Sequence, residues 1–213
     1  MKVALLAGGT GLIGSQLLQL LVEDDAYSTI KCLTRNTLPI SHHKIEVIQT
    51  NGDNLHELAS SLIADDVFCC LGTTIKKAKT KEAFRKIDFD YPLNLAKVAK
   101  ANGAKQFLLI SALGADPTSS VFYNKVKGEA EEAIAEIGFE AYHVFRPSLL
   151  LGSRTEERSG EDAAKIFFKL FGFLVPLKYK AIDSSKVARA MLAMANRNEK
   201  GTSVYESKLL QRF

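Results

Sequence analysis

The chain has 213 residues, 46% of them hydrophobic, enough for one substantial core but hardly for two independent domains, so residues 1–213 are read as a single domain. Its formal net charge of +4 falls far short of the clustered basic excess of a dedicated nucleic-acid binder, and no nucleic-acid partner is expected. The longest apolar stretches, such as KIFFKLFGFLVPL, contain Lys, Gly or Pro and are shorter than the roughly 20 residues that span a bilayer, so no membrane segment is expected either.

The opening MKVALLAGG reads as a first strand over 3–7, since glycines interrupt it before any plausible signal-peptide cleavage site. Further apolar runs suited to buried strands follow at 30–34, 45–49, 66–71, 106–111 and 141–145. Helical stripes lie between most of them. Ile13, Leu17, Leu20 and Leu21 form one, and Leu93, Ala96, Val98 and Ala101 another that stops at Asn102 and Gly103. This alternation predicts an α/β fold, a Rossmann-type doubly wound parallel sheet with helices on both faces.

Beyond Pro147 the rhythm changes to a charged loop, SRTEERSGED, then an apolar helix from about Ala163, then a helix capped by Asp183 or Ser184. Residues from about 148 to 213 are expected to contribute a small C-terminal lobe. Its apolar stripe, Ile166, Phe167, Leu170, Phe171 and Leu174, suits lobe core, a greasy substrate pocket or a dimer contact, so a monomer or a homodimer is expected.

Three cysteines, Cys32, Cys69 and Cys70, make no metal-ligand spacing, and the adjacent pair should face opposite sides of its strand. Buried thiols in a reducing cytoplasm are expected. His42 and His43 lack ligand spacing as well, so no metal site is expected. Lys76, Lys77, Lys79 and Lys81 form a basic cluster, either a solvated loop or a surface that attracts an anionic substrate or partner.

The first strand runs into GGTGLIGSQLLQLL, which sets Gly8, Gly11 and Gly14 at GxxGxxG spacing between a strand and a helix. Early glycines permit a tight turn whose N–H groups approach a pyrophosphate, and Gly14 lets the helix lie close to the strand. NAD-binding chains usually place an acid near the end of the second strand to hold the ribose hydroxyls. Here Thr34 stands in that place and Arg35 follows. A guanidinium pairs with a 2′-phosphate that a carboxylate would repel, so NADP(H) is favoured over NAD(H).

Two tyrosines precede a lysine by four residues. Tyr27 and Lys31 run into the second strand, which separates them by roughly 13 Å. Tyr123 and Lys127 fall in a helical pattern with Phe122, Val126, Ala130, Ala133, Ile134 and Ile137, one turn apart on one edge. Only the second pair can act together.

With CCLGTT, SALGADPTSSVFYNKVKGEAE and VFRPSLLLG, the chain resembles the short-chain dehydrogenases/reductases. It looks most like their atypical, extended-type members related to the Tat-interacting-protein-like and NmrA-like proteins. The resemblance runs from Met1 to about 204–207. It implies a Rossmann fold, NADP(H) binding and a Ser–Tyr–Lys oxidoreductase site acting on an unidentified small carbonyl or alcohol. Tyr123 would be the general acid, Lys127 would hold the nicotinamide ribose and favour the phenolate of Tyr123, and Ser111 would complete the catalytic set. Gly8, Thr10, Gly11, Leu12, Ile13 and Gly14 would line the cofactor with Leu71, Gly72, Thr73, Pro147 and Ser148, while Asp53 would approach the adenine. One departure stands out: the family often shows two serines at the end of strand five, and here the pair reads Ser111–Ala112. The same resemblance admits a second reading, a non-catalytic NADP(H)-sensing regulator that binds a protein partner. Ser119 and Ser120 read as helix caps.

Overall fold

The structure is a computed structural model that describes residues 1–38, 40–151, 176 and 179–213. Its main layer is a seven-stranded, all-parallel sheet. The strands are β1 (Lys2–Ala7), β2 (Tyr27–Thr34), β3 (Ile45–Gln49), β4 (Asp66–Cys69), β5 (Gln106–Ile110), β6 (Ala141–Arg146) and β9 (Gly201–Glu206), in the spatial order β3-β2-β1-β4-β5-β6-β9. A separate pair, β7 (Leu150–Leu151) and β8 (Ile182–Asp183), is also parallel. The order reverses between β1 and β4, the switch point beside which such sheets bind ligands.

The pleat divides the sheet's side chains between two cores. Ala4 and Leu6 enter one, with Leu17, Leu18 and Leu21 of α1 (Leu12–Glu23) and Val187, Met191 and Met194 of α6 (Ser184–Arg197). Leu5 and Ala7 enter the other, with Leu95, Ala96 and Ala99 of α4 (Tyr91–Ala101) and Ile134 of α5 (Phe122–Ala135). Burying each large apolar side chain contributes about 1.5–3 kcal/mol, so the face-by-face pattern fixes which side each helix takes. Two short helices, α2 (Ile75–Ala78) and α3 (Lys81–Arg85), lead into a π-turn, Lys86–Asp90, that opens α4. A last short helix, α7 (Ser207–Leu210), follows β9.

The predicted doubly wound sheet is therefore present, with strand ends within a few residues of those read from the sequence. β4 and β5 stop earlier, at Cys69 and Ile110, because the residues beyond turn into the loops at the mouth of the sheet. Cys69 packs into one core and Cys70 against the other, as the alternation requires. The residues expected to contribute a C-terminal lobe divide. β7 and β8 stand apart, whereas α6 and β9 complete the main layer. The charged loop and the apolar stripe from Ile166 to Leu174 lie outside the described residues. Asp183 does cap α6, accepting the Ser185 N–H at 2.8 Å. Ser119 and Ser120 do not cap α5: its N-cap is Val121, and the Ser119 hydroxyl accepts the Val121 N–H in the preceding turn.

Candidate functional site

A cavity of about 1490 Å³ opens along the C-terminal ends of the strands, larger than a pocket for one drug-sized molecule and roomy enough for a dinucleotide with a small substrate. Its floor at the switch point is the turn after β1, where Gly8, Thr10, Gly11, Leu12 and Ile13 line the wall. Gly8 has φ +86°, and a Cβ there would stand 2.5 Å from the Cys70 carbonyl oxygen. Gly14 lies off the wall and does its work underneath, since a Cβ there would meet the Gly8 carbonyl oxygen at 2.1 Å. These contacts bring the start of α1 against the strand. The N-cap Gly11 carries no side-chain acceptor and the first turn of α1 holds no acid, which leaves its N–H groups suited to an anion. The turn thus fits a pyrophosphate.

At the adenosine end, Arg35 is exposed and lines both the cavity and an adjoining shallow cleft. Thr34 is buried, its hydroxyl donating to the Asn36 carbonyl oxygen at 2.7 Å and accepting the Asn36 N–H at 3.2 Å, so it closes a local turn. Asp53 sits in the shallow cleft rather than on the main wall. Its carboxylate is 2.8 Å from the Lys86 ammonium and accepts the Tyr91 hydroxyl at 3.2 Å. The Lys86 ammonium holds that carboxyl below the usual range. Asp53 is thus engaged with Lys86 and Tyr91 in the cleft beside Arg35, while Thr50, Asn51 and Gly52 form the cavity wall there.

Tyr123 and Lys127 are brought together at the other end, on one face of α5, and both line the cavity with Leu71, Gly72 and Thr73 after β4 and Pro147 and Ser148 after β6. The Tyr123 ring packs against Phe84 with centroids 5.4 Å apart. Lys127 is buried, and its ammonium is 2.9 Å from Asp88 Oδ1 and 3.4 Å from the Ile110 carbonyl oxygen. Burial works to lower the Lys127 pKa, but the Asp88 carboxylate and Tyr123 outweigh it, and the pKa is raised. Sequence reading missed Asp88. It sits in the π-turn, whose register no simple helical spacing reveals.

Ser111 also lines the cavity, yet its hydroxyl donates to the Glu131 carboxylate. Glu131 is in turn held by Arg146, whose Nη2 approaches Oε2 at 2.5 Å, and Arg146 reaches Glu206 at 3.2 Å. Ser111 is therefore tied into a network joining β5, α5, β6 and β9, and Ala112 beside it offers no hydroxyl. Glu131 also went unread, although its spacing gave a signal: Tyr123, Lys127 and Glu131 follow one another at intervals of four along α5. The Ser148 hydroxyl is tied as well, donating to the Lys180 carbonyl oxygen at 2.5 Å.

Elsewhere, Lys76, Lys77, Lys79 and Lys81 are exposed, with Lys77 at the cavity edge. The rings of His42 and His43 lie 4.1 Å apart. Among the described residues no three metal-capable side chains gather, and no helix is long and apolar enough to cross a membrane.

The parallel sheet with a glycine turn at its switch point defines a Rossmann fold of the nucleotide-binding kind. The model of the NAD(P)H-binding family matches residues 8–198, and the chain belongs to that family. It is 37% identical over 171 residues to the HTATIP2 protein of Rattus norvegicus, covering 78% of this chain and 70% of that one. It is 33% identical over 206 residues to FMP52 of Candida albicans, covering 91% and 88%; that relative is named as mitochondrial and lends no support to a cytoplasmic location. Among solved structures it is similar to the Bordetella bronchiseptica enzyme WbmH, in complex with NAD⁺, with a TM-score of 0.72 at 17% identity, covering 97% of this chain and 76% of that one. It is also similar to UDP-glucose 4-epimerase of Thermotoga maritima, with a TM-score of 0.72 at 19% identity, covering 99% and 82%. These structural likenesses bear on the fold.

Proposed function

We propose that this protein is an NADP(H)-dependent oxidoreductase that interconverts a small carbonyl compound and its alcohol. One observation carries the reading: Tyr123 and a buried, charged Lys127 wall the same cavity as the glycine turn. A bound nicotinamide would supply or accept the hydride. In the reducing direction Tyr123 gives its hydroxyl proton to the carbonyl oxygen, and the Lys127 ammonium stabilises the phenolate that remains. In the oxidising direction the phenolate takes the alcohol proton back. Lys127 also offers donors to the nicotinamide ribose, and Arg35 offers its guanidinium to a 2′-phosphate at the far end of the cavity. The Ser111 hydroxyl can donate to a substrate oxygen only by leaving Glu131, so the proton chemistry rests on Tyr123 and Lys127 rather than on a full triad.

The test is a fluorescence titration with NADPH and, separately, NADH, on the parent protein and Arg35→Ala, followed by a screen of carbonyl substrates. NADPH should bind, and the mutant should lose roughly ten- to a hundredfold in NADPH affinity with little change for NADH, the worth of one charge-assisted contact. On any substrate found, Tyr123→Phe should reduce turnover at least a hundredfold. Failure of both nucleotides to bind would overturn the cofactor reading, and undiminished turnover in Tyr123→Phe would overturn the acid.

A second reading is favoured by the engaged Ser111 and the neighbouring Ala112: an NADP(H)-responsive regulator that binds a protein partner as monomer or homodimer. It predicts NADPH binding without consumption on any carbonyl tested, and a partner affinity that changes with cofactor.

A further inference from the structure

We infer that Asp88 is a positioning residue for Lys127 and, resting on the reading above, that the working unit of the site is Asp88, Lys127 and Tyr123, with Ser111 serving the scaffold. The geometry is specific. Asp88 is buried, its side chain wholly so, and divides its two oxygens: Oδ1 stands 2.9 Å from the Lys127 ammonium, and Oδ2 accepts the Thr73 N–H at 2.9 Å. It is presented by the π-turn Lys86–Asp90, the irregular turn that often marks a functional position. The pair stands at the cavity wall rather than in the sheet core, since a Cβ on the wall residue Gly72 would lie 3.4 Å from Asp88 Oδ1 and 3.7 Å from Lys127 Nζ.

A buried ion pair is a poor way to gain stability, because taking two charges out of water costs about what their attraction returns. Its presence at the wall of the cavity therefore asks for another role. The carboxylate keeps an ammonium charged where burial alone would neutralise it, and the Thr73 contact fixes that carboxylate to the strap after β4. Lys127 is thereby held in place before any ligand arrives. The other groups facing Lys127 add little fixed charge. On its own helix there is Tyr123; from β4 comes the Cys69 thiol, pushed up to about 11 mainly by burial; from β5 comes the neutral Ile110 carbonyl. Asp88 is the one carboxylate in contact with Lys127 among the described residues.

The experiment follows the Lys127 ammonium directly, by NMR titration of protein labelled at the lysine ε-carbons, with the signal assigned from its loss in Lys127→Arg. No cofactor or substrate is needed. In the parent protein Lys127 should stay protonated beyond the range of the exposed lysines; in Asp88→Asn it should release its proton at lower pH, and Asp88→Glu should restore the parent behaviour. Asp88→Asn should also bind NADPH more weakly and lose on the order of a hundredfold in kcat, the cost of a misplaced catalytic group, with partial recovery in Asp88→Glu. Should Asp88→Asn fail to fold, Asp88→Ser, which also removes the carboxylate, takes its place. A parent Lys127 that titrates with or below the exposed lysines would overturn the proposal with no variant needed. So would a titration that is the same in Asp88→Asn, or NADPH affinity and kcat left unchanged in a folded variant. If the protein proves to bind no nucleotide, the oxidoreductase reading fails on its own assay, and the ammonium titration still decides whether Asp88 holds Lys127.

Discussion

A single methyl group tests the phosphate turn. At Gly14 it would stand 2.1 Å from the Gly8 carbonyl oxygen and 3.1 Å from Gly9 Cα, and both neighbours are backbone that cannot step aside as a side chain would. Gly14→Ala must push α1 away from the strand and splay the turn. The expected cost is about 1–3 kcal/mol of stability, as for other overpacked sites, with NADPH binding lost in protein that is still folded. Urea unfolding and a fluorescence titration on the same sample would show it; retained affinity would mean that the turn does not hold the pyrophosphate. This residue was legible because glycine spacing between a strand and a helix has a geometric meaning. Tyr123 and Lys127 were legible for the same kind of reason, a helical interval. Asp88 was not, because its partner lies 39 positions away and a π-turn sets its direction.

Elements were read from their apolar runs, and one that was missed shows why. β9 carries one buried side chain, Tyr205, among exposed or half-exposed neighbours, so GTSVYE lacks the apolar run that marks the inner strands; it is defined by register with β6 from Ala141–Gly201 to Arg146–Glu206. Tyr205 meets His143 of β6, its hydroxyl 3.0 Å from Nδ1, and Nε2 is buried without a hydrogen-bond partner among the described residues. Burial lowers the His143 pKa below its ordinary value near 6.5, against smaller opposing effects of Glu199 and Asp66. The unfolded chain then takes up a proton at higher pH than the folded one. The contribution of this histidine is accordingly full above about pH 6.5 and is lost as pH falls below it. His143→Gln should flatten the pH dependence of the urea midpoint below about pH 6.5. An unaltered slope would show that the β6–β9 contact does not sense protons through His143.

At the scale of the molecule, the two edges of the sheet do different work. The C-terminal edge is opened by loops into the cavity, whereas the N-terminal edge is tied together around the buried Asp66 carboxylate. Asp66 is 1% exposed; it accepts from Lys2 Nζ at 3.0 Å, the Tyr27 hydroxyl at 2.6 Å and Gln106 Nε2 at 3.1 Å. Gln106 also donates to the Ala195 carbonyl oxygen at 3.1 Å, so the knot joins β1, β2, β4 and β5 to the end of α6. It also explains Tyr27, the tyrosine set aside on spacing, as a structural donor. Asp66→Asn removes the charge, and its amide nitrogen takes the place of one oxygen, setting donor against donor either with Gln106 Nε2 or with both Lys2 Nζ and the Tyr27 hydroxyl. The expected loss is about 3 kcal/mol, or about 6–12 °C in Tm for a chain of this size. NADPH affinity measured well below the transition should stay the same, because the cavity lies at the opposite edge. A parallel fall in affinity and stability would mean that the two edges are coupled through the sheet, and that the site is not organised by its local contacts alone.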